Sequence, residues 1–99
     1  MSRKITREAV DKFLSRTPFK KSNMEVDQYY GQFRLKLHGN VIAVLDEFNM
    51  LSISNAGWES NTTKERLNGL PNVRIHQKNW NWFLNGQKWD GAWTRVGIV

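Results

Sequence analysis

The residues with the most chemistry to offer lie between Pro71 and Trp93: Arg74, His76, Lys78, Phe83 and Lys88. Lys and Arg neutralise phosphates and release the counterions around them, and aromatic rings stack on unpaired bases at ~1–3 kcal/mol per base. On one rigid surface the five side chains would supply both terms. Whether they share a surface depends on the turns between them. Asn85-Gly86 offers two residues that tolerate positive φ, as a two-residue type I′ hairpin requires. Such a turn pairs Leu84 with Gln87, Phe83 with Lys88 and Trp82 with Trp89. A second reversal at Asn79-Trp80 sets Gln77 beside Trp82 and Ile75 beside Leu84. Because side chains alternate along a strand, Val73, Ile75, Trp82, Leu84 and Trp89 then form a core face. The opposite face carries Arg74, His76, Lys78, Asn81, Phe83 and Lys88, which Trp80 and Trp93 extend if their turns aim them there. Two arrangements are open to this face: toward solvent, or under a helix with Phe83 in the core and the charged heads at its rim. A one-residue slip at Asn79-Trp80 would exchange the faces of residues 73–78.

Other chemistries find little support. There are no cysteines, which excludes disulfides, thiolate metal sites and thiol catalysis. His38 and His76 stand far apart and lack the short-range partners of zinc patterns, so neither a metal nor another cofactor is expected. No Gly-x-Ser-x-Gly elbow or phosphate-cradling glycine loop is present. Asp46-Glu47 reads as a solvated hairpin turn. Glu25, Asp27, Asp46 and Glu47 could serve a small nuclease as a cation site, but sequence neighbours on a strand point opposite ways. The sequence therefore speaks against an enzyme.

A chain of 99 residues is one domain's worth, 1–99, long enough to bury roughly 60–65% of its unfolded surface. Fifteen Lys and Arg against nine Asp and Glu give a net charge of +6. The excess sits at the two ends: +5 over residues 1–21, −3 over 22–61 and +4 over 62–99. Such a distribution suits nucleic acid, an anionic membrane or an acidic protein as a partner. No apolar run approaches the ~20 residues of a membrane span. Met1-Ser2-Arg3-Lys4 is followed by no apolar h-region, so no signal peptide and no membrane partner are expected. Together with the missing cysteines, this points to a cytoplasmic protein.

Several elements must position the candidate face. Thr6 suits an N-cap, with Ala9, Val10, Phe13 and Leu14 at helical spacing over Arg7–Arg16 and Thr17-Pro18 as the stop. Lys20-Lys21-Ser22-Asn23 reads as a basic loop. Between Glu25 and Leu37, Tyr29, Phe33, Leu35 and Leu37 alternate with Tyr30, Gln32, Arg34 and Lys36 as in a half-buried strand, with Gly31 marking a bulge or a close approach. His38-Gly39-Asn40 turns the chain into Val41–Leu45, and Asp46–Asn49 turns it again into Met50–Ser54. Thr62-Thr63-Lys64-Glu65 fits a capping box for a second helix, which Gly69 and Pro71 end. Thr94–Val99 forms a last edge strand or a frayed tail. The expected class is α+β: an antiparallel sheet of about five to six strands, a meander plus Trp-rich hairpins, with two short helices in the order α-β-β-β-α-β-β.

Certain words in the sequence go further. Lys36-Leu37-His38-Gly39-Asn40-Val41-Ile42-Ala43, Ser54-Asn55-Ala56-Gly57-Trp58, Thr62-Thr63-Lys64-Glu65-Arg66-Leu67-Asn68, Gln77-Lys78 and Trp82-Phe83-Leu84-Asn85-Gly86 resemble a family of small uncharacterised proteins encoded in bacteriophage genomes. The likeness runs from about Ser22 to Gly91. It implies a phage origin and synthesis in the cytoplasm of a bacterial host, and it transfers no catalytic or binding role. Helix, three strands, helix is also the order of double-stranded RNA-binding domains. Those gather several lysines at the start of the second helix, where this chain has only Lys64 and Arg66.

Two functions follow. The first is a non-catalytic nucleic-acid-binding module for DNA or RNA, working through Arg74, His76, Lys78, Phe83 and Lys88. The alternative is a phage-encoded interaction protein that binds and modulates a host protein, suggested by small size and by the Trp and Arg that dominate interface hot spots. A virion component or a homodimer is a third.

Overall fold

Residues 3–99 are described by a computed structural model, which leaves Met1 and Ser2, where the leader question begins, outside the described residues. The chain opens with helix α1 (Lys4–Leu14) and continues through strands β1 (Phe19–Lys21), β2 (Met24–Tyr29), β3 (Gln32–Leu37), β4 (Asn40–Leu45) and β5 (Met50–Ile53). Helix α2 (Asn61–Leu67) follows, then β6 (Ile75–Lys78), β7 (Asn81–Leu84), β8 (Gln87–Lys88) and β9 (Thr94–Ile98). The strands build two antiparallel sheets, a large one in the order β1-β2-β3-β4-β5-β9 and a small one in the order β6-β7-β8. The class is α+β, and helix, meander, helix and Trp-rich hairpins come in the expected succession.

Both sheets share one core. The large sheet contributes Met24, Val26, Leu35, Ile42, Leu45, Leu51 and Ile53; α1 adds Ala9, Val10 and Phe13; the small sheet adds Ile75, Trp82 and Leu84. Each of the larger side chains gains about 1.5–3 kcal/mol by leaving water, which is what makes short helices and short strands hold. On the outer face of the large sheet Asp27 accepts hydrogen bonds from Arg34 and lies 2.9 Å from Lys36 Nζ. The Arg34 hydrogen bond holds the Asp27 carboxyl at about 2, with burial opposing and Lys36 adding to the effect.

Tight turns govern the meander. Tyr30-Gly31, His38-Gly39, Asn79-Trp80 and Asn85-Gly86 each place two successive residues at positive φ between paired strands. This is the type I′ geometry, whose twist matches that of the flanking strands. Tyr30-Gly31 corrects the expectation of one strand from Glu25 to Leu37: it splits that stretch into β2 and β3. The split also moves Tyr29 off the core face. Tyr29 is exposed, with the Arg34 guanidinium 4.4 Å from its ring centroid. Lys20 and Lys21 likewise belong to the short edge strand β1 rather than to a loop. Charged edges of this kind discourage pairing with foreign strands. With five strands between the helices, the likeness to double-stranded RNA-binding domains lapses.

The helix ends differ from their local signals. Thr6 is not a cap but a fully buried residue inside α1, and its hydroxyl donates to Glu65 Oε1 at 2.7 Å. Glu65 is therefore not the far half of a capping box; Ser60 caps α2 by accepting from the Thr63 amide. Burial opposes ionisation of Glu65, but hydrogen bonds from Thr6, the Arg3 amide and Arg66 outweigh it and hold its carboxyl below the usual range. Arg66, only 3% exposed, donates to Thr6, Glu65 and Asn23, so one buried guanidinium ties α1, α2 and the β1–β2 turn together. At the other end of α1 the Thr17 amide reaches the Lys12 carbonyl and the Arg16 amide the Phe13 carbonyl, with Arg16 at φ +57°. This is a Schellman closure. It carries the Arg16 guanidinium to the Asp46 carbonyl and Asn49 Oδ1.

Candidate nucleic-acid interface

The small sheet takes its shape from asparagines as much as from its apolar face. Asn85 closes the β7–β8 turn and also accepts from the Arg74 amide and donates to the Asn72 carbonyl. Asn68, just past α2, holds Ile75 by both its amide and its carbonyl, which docks β6 against the helix. The observed register is Ile75↔Leu84, His76↔Phe83, Gln77↔Trp82 and Lys78↔Asn81 on one side, and Phe83↔Lys88 and Leu84↔Gln87 on the other. No slip occurs at Asn79-Trp80. Val73, Ile75, Trp82, Leu84 and Trp89 are accordingly buried.

The opposite face is open. Arg74, His76, Lys78, Asn81 and Lys88 are exposed, and Phe83 is half-buried because His76 covers it. The imidazole and phenyl rings lie 5.0 Å apart and within 8° of parallel. Among the described residues no helix covers them, so of the two arrangements it is the solvent-facing one that forms. His76 on β6 and Lys88 on β8 are the cross-strand neighbours of Phe83 on either side. Lys88 flanks the stack two strands away, about 10 Å from His76 at ordinary strand spacing. Lys78 stands one step along β6. Arg74 lies at the far end of the row, about 13 Å from Lys78 at ordinary strand rise, where it borders a separate open cleft with Leu70, Asn72, Asn85 and Val96. Among the described residues none of Arg74, Lys78 and Lys88 forms an ion pair. No carboxylate occurs in the sequence between Glu65 and Asp90, so this patch has no internal neutralisation.

Trp80 is the anomaly of the surface. Of the four two-residue turns, three put glycine second; here the second residue is Trp80, at φ +69° and 90% exposed. Positive φ is a genuine outlier for a bulky residue and costs about 1–2 kcal/mol relative to ordinary backbone. An exposed indole returns nothing to the core in exchange. Trp80 stands at the Lys78 end of the basic face. Lys64, from α2, donates to Gln77 at 3.4 Å on the other side of β6. Trp93 is half-exposed beyond the last hairpin and before β9. Asp27, a member of the acidic set considered for a cation, is held by Arg34 and Lys36. Among the described residues no three His, Asp or Glu side chains gather where they could hold a metal ion.

Fold and site together define a small antiparallel α+β protein with a basic, aromatic sheet face. Among the described residues no helix is long and apolar enough to cross a membrane. The sequence model of the Kyanoviridae Gp96 protein matches residues 2–96, and the chain belongs to that family, a phage protein family of unknown function. No curated protein and no solved structure matches the chain. The phage origin read from the sequence words is thus shown.

Proposed function

We propose that the protein is a non-catalytic nucleic-acid-binding module, made in the host cytoplasm, that holds single-stranded DNA or RNA on the open face of β6-β7-β8. The observation that supports this best is the row itself: three cations with no ion pair among the described residues, around an exposed His76 stacked on half-buried Phe83, ending in the exposed Trp80. The cations supply attraction to phosphates, and the rings supply stacking that tolerates any base. Neither term needs a catalytic group, a metal or a cofactor. The test is fluorescence anisotropy of labelled mixed-sequence oligonucleotides against the protein and an Arg74→Glu, Lys78→Glu, Lys88→Glu variant. All three positions are exposed, so the fold should survive the change. Loss of binding in the variant with an unchanged thermal transition supports the reading; equal binding by both proteins refutes it.

A different surface favours the alternative, docking on a host protein. The β2–β3 and β4–β5 turns meet at one end of the large sheet, because Phe33 pairs with Leu45, and Met50 brings Ile98 to the same end. Tyr29, Tyr30, Phe48 and Ile98 are all exposed there. A discrete host protein retained by the chain after nuclease treatment, and lost on Tyr30→Ser with Phe48→Ser, would favour this second reading.

A further inference from the structure

A cavity of about 270 Å³ opens between the β3–β4 turn and the start of α2. Leu37 and Ile42 form its apolar floor, Trp58 one wall, and His38, Asn40 and Thr62 contribute polar groups. Drug-sized ligands occupy sites of roughly 300–1,000 Å³, so this one admits a single ring system with its substituents outside.

The wall is built with care. The Ser54 hydroxyl donates to the Gly91 carbonyl and accepts from the Ala56 amide. The Asn55 amide also donates to the Gly91 carbonyl, Asn55 Oδ1 accepts from the Gly57 amide, and the Asn55 carbonyl accepts from the Trp58 amide. The Asn55 side chain packs so tightly on Gly91 that a Cβ there would lie 2.1 Å from Asn55 Nδ2. Ala56 and Gly57 both take positive φ to complete the bend. All of this fixes a loop whose end product is an indole left 61% exposed at the cavity mouth. Rigid backbone behind an exposed aromatic is the arrangement expected of a preformed stacking platform.

The polar groups point the same way. Thr62 Oγ1 and Asn40 Oδ1 have no hydrogen-bond partner among the described residues, and His38 uses one ring nitrogen, 3.5 Å from the Asn23 amide nitrogen. A partly apolar cavity whose lining also offers unpartnered polar groups suits a flat heteroaromatic ring.

Its position identifies which kind. Lys64 meets Gln77 and Asn68 meets Ile75, so α2 runs alongside β6 in the opposite sense. The start of α2, and the cavity with it, therefore lies near the Lys78 and Trp80 end of β6, behind the basic face. We infer that this cavity binds a nucleobase, stacked on Trp58 with its edge read by Asn40, Thr62 and His38. The choice of a nucleobase among flat rings rests on the nucleic-acid reading above.

The test follows the indole N–H signals of the 15N-labelled protein, assigned by single Trp→Phe variants. The probes are the nucleoside 5′-monophosphates and, separately, a mixed-sequence single-stranded oligonucleotide. The expected result is a saturable shift of the Trp58 signal. Trp58→Ala, followed instead by the backbone amide signals of Asn40 and Thr62, should weaken the titration about tenfold or more, given the usual worth of one stacked base. Thr62→Val should weaken it less and unequally among the bases. Saturation by monophosphates assigns the site to free nucleotides; a shift with the oligonucleotide alone assigns it to a base on a strand. A Trp58 signal unmoved by both probes, or affinities unchanged in Trp58→Ala, overturns the inference. If the oligonucleotide moves Trp80 but not Trp58, the basic face stands and the cavity fails. If monophosphates still move Trp58 in the Arg74→Glu, Lys78→Glu, Lys88→Glu variant after oligonucleotide binding is lost, the cavity stands by itself.

Discussion

Replacing Trp80 with glycine should make the protein more stable and a poorer ligand binder at once. Trp80 sits at φ +69° in the second position of a two-residue turn, where the other three such turns have glycine. Relief of the left-handed strain is worth about 1–2 kcal/mol. Against that stands the greater freedom of glycine in the unfolded chain, about 0.5–1 kcal/mol. Almost no burial is lost, because the indole is 90% exposed. The balance is a gain of about 0.5–1 kcal/mol, or a rise of about 2–8 °C in Tm for a chain this size. On the binding side, removal of one stacked ring should cost ~1–3 kcal/mol, a loss of roughly fivefold to 150-fold for single-stranded oligonucleotides. Thermal unfolding by circular dichroism gives the first quantity and an oligonucleotide titration the second. A lower Tm would mean that Trp80 makes contacts important to the fold. A higher Tm with unchanged affinity would remove Trp80 from the interface.

Other perturbations probe the scaffold. Glu65→Gln leaves the buried Arg66 guanidinium without its carboxylate and should cost about 3 kcal/mol in urea unfolding, whereas adding Arg66→Met should restore part of that loss; additive losses would contradict the pairing. Asp27 contributes stability that is full above the ordinary carboxylate pKa near 3.8 and disappears as pH falls through about 2. Asp27→Asn should therefore cost up to about 2 kcal/mol at neutral pH and converge with the parent in strong acid, where a constant gap would refute the assignment. Gly69→Ala places a methyl 2.6 Å from Thr6 Cγ2, itself fixed by Glu65, and should lower stability by about 1–3 kcal/mol in thermal unfolding; a neutral result would mean that the two segments yield easily.

The small sheet was legible because its turn chemistry is local. Asn85-Gly86 and Asn79-Trp80 gave its pairing residue by residue, and the alternation of side chains then sorted the faces. The larger meander held a readable signal that alternation alone obscures. Met24 and Val26 occupy even positions whereas Phe33, Leu35 and Leu37 occupy odd ones, yet all five are buried. One continuous strand cannot present both sets to the same side, but a two-residue turn at Tyr30-Gly31 reverses the parity. The helix caps failed for another reason. Thr6 and Glu65 each match a local capping pattern, and the fold spends both on a bond to each other across 59 positions. Tertiary partners of that kind leave no mark at short range. The cavity beside Trp58 is assembled from residues 37–42 and 55–63, and nothing local in either stretch signals that the two meet, so only the fold brings it into view.

The salt dependence of oligonucleotide binding tests the central claim most directly. If Arg74, Lys78 and Lys88 neutralise three phosphates of a single strand, log K should fall against log salt with a slope of about −2. The Arg74→Glu, Lys78→Glu, Lys88→Glu variant should lose that binding with its fold intact. Binding by the parent that does not change with salt, or no binding at low salt, would contradict the account.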